Sequence, residues 1–132
     1  MNGRIVIPIH NDRGELIAYA GRSIDGAEPK YKLPPGFKKS EALFNLHRVL
    51  QKEKGTDLVI VVEGFFDVMT VCQASFADVV ALMGSSISEA QETLLSQFKH
   101  VVFFLDGDQA PISQYPFCAD ECNTVEFALA AD

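Results

Sequence analysis

Two short acidic patterns are the groups in this sequence best suited to chemistry. One is Glu63-Gly64-Phe65-Phe66-Asp67, an E-G-x-x-D pattern, and the other is Asp106-Gly107-Asp108. Each directly follows an apolar run, Leu58 to Val62 in the first case and Val101 to Leu105 in the second. Either pattern alone is weak, because D-G-D is a common turn. Their pairing carries the reading, since two neighbouring strands would bring Glu63, Asp106 and Asp108 to one place. Two like charges about 4 Å apart repel by roughly 4 kcal/mol at an effective dielectric near 20. Protonation or a bound cation relieves that repulsion. Oxygen-only ligands suit Mg²⁺ or Mn²⁺, which also take waters and the phosphates of a substrate. Gly64 and Gly107 would let the backbone turn tightly beside the ion.

These carboxylates need a scaffold. Leu58 to Val62, Val79 to Met83 and Val101 to Leu105 are continuous apolar runs, as expected of strands covered on both faces. Between them, Phe65 to Ala74 reads as a helix. A second helix through Phe98 is opened by Ser86 or Ser88, and Ser88 with Gln91 fits a capping box. Alternating strands and helices imply βαβ crossovers and a mostly parallel sheet. In such sheets ligands gather beyond the carboxyl ends of the strands, where both acidic patterns fall. Upstream, Arg4 to His10 and Glu15 to Ala20 flank a turn at Asn11-Asp12-Arg13-Gly14 and predict a hairpin. Residues 23–38, rich in Gly and Pro, read as a loop. Ser40 is the expected cap of a helix running to about Lys54. Thr124 to Ala131 is expected to form a short helix. Phe103 and Phe104 read as core, and His47 as a helix-surface residue.

The formal net charge of −7 conceals an asymmetry. Ten of the eleven Lys and Arg residues lie at or before position 54, against six acidic residues, a net of +4. The remainder holds one basic and twelve acidic residues. A basic half suits a phosphate backbone and an acidic half suits divalent cations. Tyr31, flanked by Lys30 and Lys32 in the loop, is placed to meet a base or ribose. Three cysteines, Cys72, Cys118 and Cys122, do not make a disulfide framework, and no second ligand pair completes a zinc site. There is no G-x-x-x-x-G-K-[ST] and no G-x-S-x-G, which argues against a P-loop NTPase and a serine hydrolase. No apolar run approaches the roughly 20 residues that span a bilayer, and the N-terminus lacks the layout of a secretory signal. The expectation is a soluble, cytoplasmic protein without membrane contact.

VVEGFFDV, then VALMGSS, then FFLDGDQA resembles the Toprim domain of bacterial-type primases, topoisomerases and related nucleases. The resemblance implies that Glu63, Asp106 and Asp108 form the catalytic acidic centre, with Asp67 in support and Gly84 in the small-residue turn after the middle strand. The N-terminal half narrows the choice. IVIPIHNDRGELIAYAGRSID followed by PKYKLPPGFKKSEALFNL is similar to the subdomain that precedes Toprim in bacterial-type primases. It implies that Arg22, Lys30, Lys32 and Lys39 hold template or nucleotide. The implied architecture is an α/β chain with two parts. Residues 1–55 would form a small α+β subdomain with a β-hairpin, and residues 56–132 a Toprim-like, mostly parallel sheet flanked by helices. The implied activity is RNA primer synthesis on single-stranded DNA from nucleoside triphosphates, with Mg²⁺ or Mn²⁺ and no zinc within this chain. A replicative helicase is the further partner such primases imply.

The resemblance fades after residue 110, where Pro111 stands in place of the usual glycine. Asp120, Glu121 and Glu126 do not match the family's further acidic motif. The expectation is a core truncated at its C-terminus. Two other functions remain open on the sequence: a Toprim-type metal-dependent nuclease, and a non-catalytic nucleic-acid-binding module.

Overall fold

The computed structural model describes residues 3–52, 57–84, 86–105 and 124–129. Asp106, Gly107 and Asp108, like Cys118 and Cys122, lie outside the described residues.

The chain opens with a hairpin. Strand β1 (Arg4–His10) pairs antiparallel with β2 (Leu16–Ser23), with Ile7 opposite Ala20. Asn11 builds the turn: its Oδ1 accepts from the backbone N–H groups of Arg13 and Glu15 at 3.0 and 2.9 Å. Gly14 supplies the positive φ of 84° that the turn requires. A short third strand, β3 (Tyr31–Lys32), pairs with β2 inside the stretch expected to be loop.

The helix expected over Ser40 to Lys54 is interrupted. A 3-10 turn covers Lys39–Glu41 and the α-helix α1 covers only Leu46–Leu50, so Ser40 caps nothing of that length. The cause is tertiary. Phe44 exchanges both backbone hydrogen bonds with Ala81, at 3.0 and 3.1 Å, and must be extended to do so. Asn45 then reverses the chain at φ 74°, a left-handed conformation that Asn tolerates better than most residues. Its buried side chain donates to the Val79 carbonyl at 3.0 Å.

The second sheet has the order β5-β4-β6-β7 and is parallel throughout, built from β4 (Leu58–Val62), β5 (Val79–Ala81), β6 (His100–Leu105) and β7 (Thr124–Leu129). Helix α2 (Phe65–Gln73) connects β4 to β5, and α3 (Glu89–Leu95) connects β5 to β6. Ser88 and Gln91 form the expected capping box on α3. The segment expected to end as a helix is instead β7. T-V-E-F-A-L alternates with period two, and β6 offers it a complete backbone ladder from His100–Thr124 to Leu105–Leu129. Phe103 is fully buried, whereas Phe104 is 38% exposed, because successive strand residues face opposite sides.

The main core joins Val59, Val61, Val80, Val101 and Phe103 of the parallel sheet, with Leu82 just after β5, to Leu43, Leu46 and Val49 of the preceding segment. A second cluster packs Ile7, Ile9, Ala18 and Ala20 of the hairpin against Phe65 and Met83. The hairpin is thereby fixed against the end of the parallel sheet. Among the described residues, no helix is long and apolar enough to cross a membrane.

His47 departs from the surface position expected of it. Its ring stacks on His10 at 4.3 Å, and its Nδ1 is shut off from solvent with no hydrogen-bond partner among the described residues. Burial, then His10 and Arg48, hold its pKa below the usual 6.5. The neutral imidazole therefore stabilises the fold fully above about pH 6.5, and that contribution is lost as the pH falls through the lower folded value. His47→Phe should flatten the acid side of a urea-denaturation series run across pH. Asn45→Ala should cost about 2 kcal/mol, from the left-handed strain and the lost buried bond, and Asn45→Gly roughly 1 kcal/mol, both read from urea midpoints.

Candidate active site

A cleft of about 660 Å³ opens where β4 and β5 end. Its acidic side comes from the β4–α2 junction. Glu63 is the first residue after β4, is half-buried, and its carbonyl accepts from Met83 N–H at 2.8 Å. That bond ties the ends of β4 and β5 together. Asp67 sits in the first turn of α2, where its Oδ2 accepts from Gly64 N–H at 3.1 Å, so the carboxylate caps the helix while facing the cleft. Gly64 has φ −120°, an extended conformation open to any residue. What it permits is the approach of Asp67, whose Oδ2 would stand 3.3 Å from a Cβ there. At the end of β5 the left-handed residue is Met83 (φ 63°) rather than Gly84.

The basic side comes from the hairpin sheet and the 3-10 turn. Arg22 and Tyr31 are cross-strand partners in β2 and β3, and the Arg22 guanidinium lies over the Tyr31 ring at 5.2 Å. The ring of Phe66, from α2, stands 5.8 Å from the same guanidinium. Tyr31 also contacts Phe65, with ring centroids 5.5 Å apart. Burial pushes the Tyr31 phenol above its usual value, Arg22 opposes the rise, and Asp67 adds to it. The loop carrying Lys30 is tied down by Arg4, which donates to the Pro29 carbonyl at 2.7 Å, and by Ser23 N–H donating to the Lys30 carbonyl at 2.9 Å. Lys39 reaches across from the 3-10 turn, and a Cβ on Gly84 would stand 3.6 Å from its Nζ.

Eight of the residues singled out in the sequence therefore line one cleft: Arg22, Lys30, Tyr31, Lys39, Glu63, Gly64, Asp67 and Gly84. Lys32 does not line it; it is exposed and follows Tyr31 on β3, whose alternation turns the two side chains to opposite faces. The sequence reading passed over Phe66 and Met83, which also line the cleft. Phe66 sits inside the E-G-x-x-D pattern and could have been noticed there, but nothing in the sequence marks Met83 as left-handed. Ammonium and guanidinium groups on one side of the cleft suit the phosphates of a ligand, and the carboxylates on the other could hold a divalent cation. The described lining residues include no His or Cys, and the acidic groups among them, Glu63 and Asp67, offer the oxygen donors that hard divalent cations take. Among the described residues, no three acidic, His or Cys groups gather as metal ligands.

Comparison with known proteins matches residues 60–125 to the Toprim-like family and residues 1–50 to the N-terminal domain of the DNA primase catalytic core. The chain is 41% identical over 112 residues to the DNA primase of Legionella pneumophila, an alignment covering 81% of this chain and 19% of that protein. A DNA primase domain from Pseudomonas aeruginosa superposes with a TM-score of 0.84 at 29% identity, covering 100% of this chain and 44% of that one. The catalytic domain of the DnaG primase bound to single-stranded DNA superposes at 0.83 with 27% identity, over 98% of this chain and 46% of that one. This chain thus spans about a fifth of the length of the Legionella relative. With its parallel sheet, its preceding hairpin and both halves matched, the chain belongs to the Toprim-like family and is similar to part of the catalytic core of DNA primases.

Proposed function

We propose that this chain carries the nucleotide-joining centre of a DNA primase, which synthesises RNA primers on a single-stranded DNA template. The observation that carries the reading is the two-sided cleft at the carboxyl ends of the parallel strands, with Glu63 and Asp67 facing Arg22, Lys30 and Lys39. The catalytic carboxylates are Glu63, Asp106 and Asp108, with Asp67 in support. The ladder supports this set. β4 and β6 are neighbours with Val61 opposite Phe103, and a single peptide bond separates Asp106 from Leu105, the last residue of β6. These carboxylates would hold Mg²⁺ or Mn²⁺, which when bound neutralises the triphosphate and the charge developing on it.

The remaining work falls to the protein's own side chains. Lys39, Lys30 and Arg22 bind and orient phosphates, and Tyr31 with Phe66 flanks the Arg22 guanidinium and narrows the orientations in which it meets an oxyanion. Lys32 acts from outside the cleft, on the path of the nucleic acid. The single-stranded DNA bound by the DnaG catalytic domain supports a single-stranded template for this chain. A division of labour between a basic part over residues 1–55 and an acidic Toprim part over residues 56–132 is supported by the two family matches. The N-terminal match also favours polymerisation over a Toprim nuclease.

Incubation with Mn²⁺, labelled single-stranded DNA and nucleoside triphosphates should give extended RNA products and no cleavage; nucleotide-independent cutting would point to the nuclease instead. In a full-length parent, Glu63→Gln and Asp106→Ala with Asp108→Ala should each lower primer synthesis by more than about a hundredfold, the upper end for outer-shell metal partners. Near-parental synthesis would refute the assignment. Arg22→Ala should move the Tyr31 phenol titration further upward, because the cation that opposes the rise is gone. Ultraviolet difference absorbance, referenced to Tyr31→Phe, would follow it.

A further inference from the structure

Gln91 lies outside the cleft, on α3, and is 1% exposed. As the third residue of a capped helix it needs only to accept from Ser88 N–H, which its Oε1 does at 3.1 Å, while Ser88 Oγ accepts from Gln91 N–H at 3.1 Å. Glutamate serves that purpose equally well. The other half of the side chain does something glutamate cannot. Its Nε2 donates toward three backbone carbonyls, of Ala42 at 2.9 Å, Leu82 at 3.0 Å and Lys39 at 3.3 Å. Ser88 Oγ adds a fourth tie from the same helix end, to the Ser40 carbonyl. One amide therefore fixes both partners of a cleft contact: the turn that bears Lys39, and the end of β5 just before Met83 and Gly84, against which Lys39 Nζ lies.

We infer that Gln91 is a positioning residue, which sets the Lys39 ammonium against the loop after β5 for phosphate binding; this rests on the reading of Lys39 as a phosphate contact. Lys39 is on a three-residue 3-10 turn, too short to hold a long side chain in place by itself. A buried amide bonded to both walls supplies the missing rigidity, at the cost of strict dependence on its donors.

Gln91→Met keeps the volume and removes the donors. Gln91→Glu keeps the helix cap and turns a carboxylate toward three carbonyl oxygens. Leu95→Ala, on the same helix and fully buried in the core, serves as a control that loosens the fold without touching the turn. Hydrogen exchange of the full chain followed by NMR should show lost protection concentrated at residues 39–44 and 82–84 in Gln91→Met and Gln91→Glu, and spread over the core in Leu95→Ala. In calorimetric titration with ATP and Mg²⁺, Lys39→Ala should weaken binding about tenfold, as loss of a hydrogen bond to a charged group does. Gln91→Met should weaken binding several-fold, and adding Lys39→Ala to it should bring little further loss. The Lys39→Ala effect should persist in full beside Leu95→Ala. Unchanged exchange at 39–44 in Gln91→Met, or fully additive losses with Lys39→Ala, would overturn the proposal. Parental ATP affinity in Lys39→Ala would instead remove the phosphate role of Lys39, while the exchange data still decide whether Gln91 holds the turn.

Discussion

In a parallel ladder every strand starts at the same end, so the residues that follow the strands all emerge along one edge. The rest of this structure depends on that constraint. β4 sits between β5 and β6 with Val61 opposite both Val80 and Phe103, and the apolar packing of Val59, Val61, Val80 and Phe103 fixes the register. Glu63 leaves β4 beside the end of β5, tied to Met83 through its carbonyl. A slip of one residue in this register would turn the buried set outward and carry Glu63 away from its edge. The core and the placement of Glu63 are thus held by the same contacts.

The hairpin sheet and the segment after it bring opposite charge to that edge. Ile7, Ile9, Ala18 and Ala20 seat the hairpin against Phe65 and Met83, next to the acidic motif. Arg22, on the same sheet, then projects over Tyr31 toward Phe66. A chain with net charge −7 can still offer cations to a phosphate, because they are gathered on one wall and the carboxylates on the other. Proximity of the two signs also keeps the cleft lining from carrying a large unbalanced charge of either kind.

The parts of the fold governed by local pattern were legible in the sequence. The apolar runs of β4 and β6, the Asn11–Gly14 turn and the Ser88–Gln91 cap each express a short-range rule and stand where the pattern puts them, whereas the run expected as a strand over Val79 to Met83 is a strand only over Val79–Ala81, because Met83 turns left-handed. The misreadings came from long-range pairing. Leu43, Leu46 and Leu50 have helical spacing, yet Phe44 is drawn straight by Ala81. Residues 124–129 satisfy a short helix on composition, but β6 offers a longer ladder. For the site, the type and position of Glu63 and Tyr31 nominated them, whereas Asp67, Arg22, Lys30 and Lys39 were nominated through the family resemblance. The aromatic partner Phe66 and the left-handed Met83 were not legible, because both depend on which elements meet in space.

The bridge between Phe44 and Ala81 has a further effect on how the molecule behaves among its own copies. A terminal strand normally displays an open row of donors and acceptors that another chain can zip onto. On β5 much of that row is already occupied. Phe44 takes both the N–H and the carbonyl of Ala81, and Asn45 takes the carbonyl of Val79. Those three groups, at the outer edge of the parallel sheet, are thereby withheld from pairing with a strand of another chain.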